Sequence, residues 1–286
     1  MAGRTVLVAG GAGYVGAHAC KALSEAGWRP VVFDSLARGW RDFVRWGPLI
    51  EGDIRDRAAL DAAFAEVKPA AVLNFAALIE VGESVRDPAA FADTNLLGGL
   101  TLLEAMRAAG CAKIIFSSTC NVYGAVSGSA LDETLPRRPT NPYGFTKAAF
   151  EMALESYGAT YGFGFTALRY FNAAGADPDV EIGERHVPET HLIPLAIEAA
   201  RGGRPLTIFG EDYPTRDGTC ERDYVHVSDL ARAHVAALER LMGGGDSAAY
   251  NLGVGRGATV REVVDAVARA TGARPAHSVG ARRPGD

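Results

Sequence analysis

Two residues at the start of a predicted helix have side chains and a spacing suited to handling a proton. The stretch "NPYGFTK" places Tyr143 four residues before Lys147, and Asn141 followed by Pro142 is typical of a helix N-cap and first turn. Because residues four apart share one helix face, we expect the phenol and the ammonium to lie together. A tyrosine with a pKa of about 10 is a base at neutral pH only if positive charge favours its phenolate. Lowering that pKa by about three units requires roughly 4 kcal/mol, which two cationic groups in a partly dry cleft can supply.

Three hydroxyls at the end of the fifth predicted strand are candidates for a relay to this tyrosine. Ser117, Ser118 and Thr119 follow "IIF", where the carboxyl end of a parallel strand is expected to reach a cleft. A hydroxyl can donate to a substrate oxygen and pass its proton to Tyr143 without adding a charge. Serine and threonine also cap helices, and Tyr-x-x-x-Lys alone is typical of a surface pair. The rest of the chain therefore decides between these interpretations.

A glycine-rich turn near the N-terminus predicts a dinucleotide site. "VLVAGGAGYVGAH" places Gly10, Gly13 and Gly16 between a predicted strand and a predicted helix, and Gly11 adds an overlapping G-x-G-x-x-G. Small residues there let backbone N–H groups and the positive helix end approach a pyrophosphate. Glycines that only close a tight turn are the alternative, which the matching strand and helix disfavour.

Acidic residues after the next two strands refine the expected cofactor. Asp34 ends the second strand in "VVFD", where a carboxylate accepts from ribose hydroxyls and repels a 2'-phosphate, so NAD is favoured over NADP. Arg38 could instead pair with that phosphate, but Asp34 is nearer. Asp53, in "IEGD", is a candidate for the adenine end, with a helix N-cap as an equal alternative.

The pattern of secondary-structure elements around these residues predicts a doubly wound α/β fold with a parallel, Rossmann-like sheet. Short apolar runs alternate with amphipathic stretches, as expected for strands covered on both faces; these runs are "TVLVAG", "RPVVFD", "PLIEGD", "AAVLNFA" and "AKIIFSS". The pattern loosens at about Asp177, which predicts a dinucleotide-binding domain over 1–176, with 213–250 returning to it. Residues 177–212 and 251–286 are predicted to form a smaller C-terminal substrate lobe, with a helix whose capping box runs from Thr259 to Glu262.

Composition limits the partners of the chain. With 286 residues, a formal charge of -5 and scattered basic residues, it gives no indication of nucleic acid or membrane surfaces as partners. No apolar run is long enough to span a bilayer. The four cysteines show no C-x-x-C spacing, so we expect free thiols and a cytoplasmic location. We predict no bound metal ion, because we assign His186 and His191 to the surfaces of a loop and a helix rather than to a zinc site.

Nine motifs, in order along the whole chain, resemble the extended short-chain dehydrogenase/reductases and, within them, the UDP-glucose 4-epimerase family. They are "GGAGYVGAH", "EGDIRD", "FAA", "VGES", "SSTCNVYG", "NPYGFTK", "LRYFNAAGA", "ERDYVHVSDLA" and "YNLGVG". The resemblance implies that Tyr143 is the catalytic base, that Lys147 holds the nicotinamide ribose and that Thr119 contacts the sugar 4-oxygen. It also implies an isomerase that oxidises carbon 4 of a UDP-hexose to a ketone, reduces it from the other face and retains its NAD.

The resemblance also implies a wider set of contacts. Cofactor contacts fall on Gly10, Gly13, Tyr14, Val15, Gly16, Asp34, Ser35, Asp53, Ile54, Phe75, Ala76, Asn95, Thr119, Tyr143, Lys147 and Phe171. UDP-sugar contacts fall on Thr119, Tyr143, Asn172, His191, Leu192, Thr207, Phe209, Arg222, Arg283 and Asp286. Arginine forks suit a diphosphate, although Phe209 could be a core residue and Arg222 a surface partner of Asp223. A homodimer built from helices around 86–109 and 143–160 is the expected assembly.

Departures from the family pattern leave other functions open. Ala9 replaces a common threonine, Ile79 stands where some relatives have a lysine, and relatives continue for a few dozen residues beyond "RRPGD". The position that sets the size of the accepted sugar substituent lies in that continuation. The sequence therefore does not distinguish among UDP-hexose, UDP-N-acetylhexosamine, UDP-pentose and UDP-uronate substrates. A 4,6-dehydratase would carry Asp-Glu at Cys120 and Asn121. A UDP-glucuronate decarboxylase and a non-catalytic NAD-binding module are the further alternatives.

Overall fold

The structure is a computed structural model that describes residues 4–126 and 130–282, and these divide into two compact units. Unit 1 contains the described residues of Met1–Gly183 and His226–Leu252, and unit 2 those of Glu184–Val225 and Gly253–Asp286. The chain therefore changes unit after residues 183, 225 and 252. The sequence placed the corresponding boundaries after residues 176, 212 and 250.

Strands of unit 1 form a seven-stranded parallel sheet, which confirms the predicted fold class. Its strands are β1 (Thr5–Ala9), β2 (Arg29–Asp34), β3 (Leu49–Glu51), β4 (Ala71–Asn74), β5 (Lys113–Thr119), β6 (Gly164–Tyr170) and β10 (Ala248–Leu252). The other strands are β7 (Asn172–Ala174), β8 (Leu206–Phe209), β9 (Glu221–His226), β11 (Gly257–Thr259) and β12 (His277–Gly280). The sheet order β10-β6-β5-β4-β1-β2-β3 puts the ends of β1, β4 and β5 side by side, so loops distant in sequence meet at one edge.

Helices follow the strands in the alternation that the sequence predicts. Unit 1 contains α1 (Tyr14–Glu25), α2 (Arg57–Val67), α3 (Val81–Arg86), α4 (Pro88–Phe91), α5 (Gly98–Ala108), α6 (Pro142–Tyr161) and α8 (Val227–Met242), with a π-helical turn over Ala92–Leu97. Unit 2 contains α7 (Leu192–Ala200) and α9 (Val260–Thr271). No helix in the described ranges has the length and apolar character needed to cross a membrane.

The parallel sheet is buried on both faces because its strands alternate between two cores. Leu7 of β1 points into a core shared with Phe64 of α2 and Phe150 of α6. Val8, the next residue, points into a second core that contains Leu23 of α1. Each fully buried Leu or Phe contributes about 1.5–3 kcal/mol, so the two cores fix the sheet that carries the candidate site.

Unit 2 has a small core of its own. Leu206 and Ile208 of β8 pack with Ala196 of α7 and with Val263 of α9. Strand β8 pairs in parallel with β12, and β9 pairs antiparallel with β11. The capping box predicted at the start of α9 is present and confirms that helix start.

Candidate active site

The first βα turn has the close backbone packing that a pyrophosphate loop needs. Gly10 has φ of 77°, and a Cβ there would collide with the backbone of Ala76. A Cβ on Gly16 would collide with the Gly10 carbonyl. Helix α1 begins after Gly13, which makes no side-chain hydrogen bond to the first turn, so the N-cap residue leaves the helix N–H groups to another acceptor.

Asp34 holds this loop from the end of β2. Its carboxylate accepts hydrogen bonds from Ala12 N at 3.0 Å and Leu36 N at 2.8 Å. Burial raises the pKa of Asp34, and these two hydrogen bonds oppose that rise. Arg38 lies within 3.5 Å of Glu80 and 3.4 Å of Glu83, so its guanidinium is balanced by carboxylates. This arrangement favours Asp34 over Arg38 as the group that meets a ribose.

The expectation that Asp53 could be an N-cap is wrong. Helix α2 is capped by Asp56, whose carboxylate accepts from the N–H groups of Ala58 and Ala59. Asp53 instead pairs with Arg55 at 2.6 Å, and the Arg55 guanidinium lowers the pKa of Asp53. The cap lies three residues later than expected because the chain makes a turn before the helix starts.

Asn95, predicted as a cofactor contact, uses its side chain on the protein itself. Its amide oxygen accepts from Leu78 N at 2.8 Å, and its nitrogen donates to Leu78 O at 2.9 Å and Thr146 Oγ1 at 3.2 Å. Asn95 therefore ties the loop after β4 to helix α6. Phe75 in that loop stacks on His234, with ring centroids 4.6 Å apart.

The remaining predicted cofactor residues occupy the same edge of unit 1. The Tyr14 hydroxyl donates to Gly175 O at 2.5 Å, and the Ser35 hydroxyl accepts from Ala37 N at 3.4 Å. Phe171 donates its N–H to Leu252 O. Val15 is half-buried on α1, Ala76 is half-buried after β4, and Ile54 is buried in the core.

Helix α6 starts as the sequence predicts and buries both residues of the opening motif. The Asn141 side chain accepts from Gly144 N, and Pro142 occupies the first turn. Tyr143 and Lys147 are both buried. The Lys147 ammonium lies 5.8 Å from the centre of the Tyr143 ring and donates to Ser117 O at 2.8 Å. The carboxyl end of β5 therefore positions the lysine.

Thr119 completes the arrangement at the last residue of β5. A hydrogen bond between the Thr119 hydroxyl and the Tyr143 phenol lowers the pKa of the tyrosine. The same hydroxyl accepts from Asn121 N at 3.2 Å and from Asn121 Nδ2 at 3.1 Å. Because both Asn121 groups can only donate, the proton of Thr119 remains for a bond to the phenol oxygen. Asn121 was not predicted as a site residue, and its sequence position gives no signal of this role.

Burial shifts the pKa values of this pair in opposite directions. Burial, followed by the neighbouring Tyr170, raises the pKa of Tyr143 far above its ordinary value despite the hydrogen bond from Thr119. Burial also lowers the pKa of Lys147 to about 7, which the charge of Glu151 opposes. The protein's own groups thus favour a neutral phenol, so the phenolate that the sequence predicts requires a further positive charge at the site.

A buried ionic network behind Lys147 was also missed. Glu151, one helical turn after Lys147, accepts from Ser118 Oγ at 2.5 Å and pairs with Arg169 of β6 at 2.5 Å. Arg169 also donates to the Tyr123 hydroxyl at 2.8 Å. The four-residue spacing from Lys147 was the only available signal, because Arg169 meets Glu151 through the tertiary fold.

Residues predicted to bind the UDP-sugar divide between the two units. Thr119, Tyr143 and Asn172, the first residue of β7, lie in unit 1, and the other members that the structure describes belong to unit 2. Arg283 and Asp286 lie outside the described residues. Thr207 and Phe209 alternate along β8 with the buried Leu206 and Ile208. This places Phe209 on the side of the strand away from the unit 2 core.

The remaining predicted UDP-sugar residues lie around β9 and α7, where they contact other residues of unit 2. Arg222 donates to Glu221 O at 2.9 Å, and the Asp223 carboxylate accepts from Val254 N and Gly255 N. Leu192 is the first residue of α7, and it packs partly buried on the unit 2 core. His191 occupies the N-cap position of that helix without a side-chain capping hydrogen bond.

The chain matches known proteins over its whole length. The sequence profile of the NAD dependent epimerase/dehydratase family matches residues 6–253. A UDP-glucose 4-epimerase of Rhizobium leguminosarum bv. trifolii is 57% identical over 288 residues, which cover 100% of this chain and 88% of that protein.

Solved structures give the same result for the fold. UDP-glucose 4-epimerase from Brucella ovis in complex with NAD has a TM-score of 0.96 at 49% identity, covering 99% of this chain and 87% of that chain. UDP-glucose 4-epimerase from Bifidobacterium longum in complex with NAD+ and UDP has a TM-score of 0.93 at 36% identity, covering 99% and 88%.

Proposed function

The chain belongs to the NAD dependent epimerase/dehydratase family, and we propose that it interconverts UDP-glucose and UDP-galactose by inverting carbon 4, with NAD as cofactor. The observation that carries this proposal is the buried group at the end of β5. There Tyr143 and Lys147 are both buried one helical turn apart, and the Thr119 hydroxyl lowers the pKa of Tyr143 against the effect of burial. A dinucleotide-binding protein without catalysis would not require this proton-handling group.

Unit 1 fits NAD and is proposed as its binding domain. The uncapped start of α1 and the close turn at Gly10 and Gly16 suit a pyrophosphate, and Asp34 suits a ribose. The other proposed contacts are Gly13, Tyr14, Val15, Ser35, Asp53, Ile54, Phe75, Ala76, Asn95, Thr119, Tyr143, Lys147 and Phe171. When bound, NAD supplies the group that accepts a hydride from carbon 4 and returns it to the ketone.

The chain's own residues handle the proton and the orientation of the sugar. Tyr143 accepts the proton of the 4-hydroxyl and returns it after the sugar has turned over. Thr119 hydrogen-bonds the phenol and can direct its oxygen towards the 4-oxygen. Lys147, which donates to Ser117 O, would hold the nicotinamide ribose. The positive charge that the buried phenol lacks would be supplied by the oxidised cofactor when bound.

Unit 2 and the start of β7 are proposed to hold the nucleotide-sugar. Arg222 and Arg283 provide guanidinium forks for the diphosphate. Phe209, on the face of β8 away from the core, provides an apolar surface for the uracil. The other proposed contacts are Asn172, Leu192, Thr207, Asp286 and His191, whose Nδ1 atom faces Glu184 and Glu189 and whose Nε2 atom would meet the nucleotide-sugar.

Conversion of UDP-galactose to UDP-glucose by purified protein, with no NAD added, tests the function. We expect conversion by the wild type and a loss of at least about 10³-fold in Tyr143→Phe, because proton transfer is removed. Tyr161→Phe, on the exposed end of the same helix, is the matched control and should keep full activity. Bound NAD with no conversion of UDP-galactose, UDP-N-acetylglucosamine, UDP-xylose or UDP-glucuronate would contradict the proposal.

A homodimer is the proposed assembly. Leu97, Phe145 and Met152 near α5 and on α6 are 55%, 56% and 56% exposed, and such apolar side chains are expected to be covered by a partner. Sedimentation should give twice the chain mass for the wild type and the monomer mass for Phe145→Glu/Met152→Glu. Val254→Glu, an equally apolar and exposed position in unit 2, is the control.

We also propose a cytoplasmic location, where the four cysteines persist as the thiols seen in the structure.

A further inference from the structure

Four side chains within eight residues of unit 2 converge on one point. They are Glu184, His186, Glu189 and His191. The His191 Nδ1 atom lies 2.7 Å from a Glu184 oxygen and 3.4 Å from a Glu189 oxygen. The His186 Nδ1 atom lies 3.5 Å from Glu184 and 3.6 Å from Glu189. Each imidazole therefore faces both carboxylates. His186 lies in a loop and His191 at the start of α7, as the sequence predicts, but their side chains meet at the same pair of carboxylates.

The separations match those between ligands of a tetrahedral ion. Zinc binds histidine nitrogen and carboxylate oxygen at about 2.0–2.2 Å, so neighbouring ligand atoms of a tetrahedral site are about 3.4 Å apart. Three of the four imidazole–carboxylate distances are 3.4, 3.5 and 3.6 Å. Both histidines reach the same Glu184 oxygen, Oε1, whereas Glu189 presents Oε1 to His191 and Oε2 to His186, so a tetrahedral site would use one of these two Glu189 oxygens. The fourth, 2.7 Å, is a hydrogen bond that would lengthen by less than about 1 Å on metal binding.

Burial gives a second reason to expect a cation at this point. The side chains of Glu184 and Glu189 are 8% and 20% exposed, and two carboxylates brought together out of water repel unless positive charge lies between them. A divalent ion at this point would neutralise both carboxylates.

A second carboxylate cluster in the described part of the chain already contains a positive charge and serves as a comparison. Asp177, Asp179 and Glu181 in unit 1 also lie close enough to share an ion. However, the Lys21 ammonium is within 2.8, 2.6 and 2.8 Å of their carboxylates. That group therefore carries its own cation and offers no histidine ligand.

We propose that Glu184, His186, Glu189 and His191 bind one divalent transition-metal ion, for which zinc has the best-matched chemistry. Two imidazoles and two carboxylates suit zinc, and four protein ligands in tetrahedral geometry describe a structural rather than a catalytic site. His191 is also the N-cap of α7. The ion would therefore fix the segment 184–191 against the start of that helix, next to Leu192.

Metal binding by the untagged holoenzyme tests this directly and does not depend on epimerase activity. Protein treated with a chelator and desalted is titrated with Zn²⁺ against a chromophoric competitor, and we expect one ion per chain. Co²⁺ loaded in place of zinc should give the intense visible bands of a four-coordinate ion. Weak bands typical of a six-coordinate ion, or no stoichiometric binding, would overturn the proposal.

Variants assign the ion to these residues. Glu184→Gln and His186→Gln should each lower zinc affinity by at least about tenfold, while His277→Gln, a histidine of unit 2 outside the cluster, should bind like the wild type. If the cluster variants do not fold, zinc-edge X-ray absorption of the wild-type protein identifies the zinc ligands instead. It should report two imidazoles among four nitrogen and oxygen ligands, and a sulfur ligand or a mainly aqueous shell would refute the assignment.

Discussion

The Thr119 hydroxyl accepts two hydrogen bonds from Asn121, one from its backbone N–H at 3.2 Å and one from Nδ2 at 3.1 Å. Since both donors are amides, the hydroxyl proton of Thr119 is left to point at the Tyr143 phenol. A proton donated in that direction stabilises the phenolate and so opposes the effect of burial on the tyrosine. Asn121 acts on the reaction only through Thr119 and is therefore a positioning residue.

Thr119→Val should lower kcat by about 10²-fold, because the hydroxyl that stabilises the phenolate is replaced by a methyl of similar shape. Thr119→Ser keeps the hydroxyl and should stay within about tenfold of the wild type. Asn121→Ala removes only the side-chain donor and should give an intermediate loss with little change in KM. Steady-state kinetics with UDP-galactose measure all three, and equal activity of the Val and Ser variants would contradict the role of the hydroxyl.

Glu151→Gln should move the alkaline limb of the kcat profile to lower pH. The carboxylate of Glu151 raises the pKa of Lys147 against burial, so its loss leaves an ammonium that deprotonates more readily. The amide can still accept from Ser118 and Arg169, which limits structural damage. Glu155→Gln is the control, since Glu155 is exposed on the same helix and pairs with Arg137. An unchanged pH profile with a lower melting temperature would show that Glu151 is only structural.

Asp34→Asn should weaken NAD retention by at least about tenfold, because an amide has one acceptor oxygen where the carboxylate has two. In the structure one carboxylate oxygen bonds Ala12 N and the other bonds Leu36 N. Discrimination against NADP should fall as well, since the negative charge that repels a 2'-phosphate is gone. The measurement is nucleotide content after purification, followed by titration of stripped protein, with Asp61→Asn as an exposed control. Retention equal to that of the wild type would exclude a cofactor role for Asp34.

Features of the site that depend on local spacing could be predicted from the sequence. The turn around Gly10, the cap of α6 at Asn141 and the capping box at Thr259 each involve residues within a few positions of one another. Their geometry follows from strand, turn and helix rules that act over one or two turns. The parallel sheet was also predictable from local sequence, since continuous apolar runs are typical of strands that are buried on both faces.

Features that depend on the tertiary fold were not predictable. Glu151 and Arg169 are separated by 18 positions and meet only because α6 packs beside β6. The sequence left Asp53 open as either a cofactor contact or an N-cap, and the cap of α2 is Asp56. Both aspartates are suitable by type, and only the turn between them decides. The helix face of Lys147 was predicted from its spacing to Tyr143, but the burial that lowers its pKa was not.

His234 should make the protein sensitive to mild acid. It is fully buried between Phe75 and Tyr170, and burial lowers its pKa to about 4, against about 6.5 in the unfolded chain. Between these values the unfolded state binds more protons, so the free energy of unfolding falls as the pH falls through that window. A shift of about 2.5 units corresponds to at most about 3 kcal/mol.

Chemical denaturation of wild type and His234→Gln at pH 7.0, 6.0, 5.0 and 4.5 measures this effect. Glutamine can still donate to the Leu230 carbonyl that His234 Nδ1 bonds at 2.8 Å, and it does not titrate. We expect the stability difference between the two proteins to shrink or reverse as the pH falls, because only the wild type must keep a buried imidazole neutral. The exposed His277→Gln should follow the wild type at every pH. A constant difference between wild type and His234→Gln would show that His234 is not the acid-sensitive group.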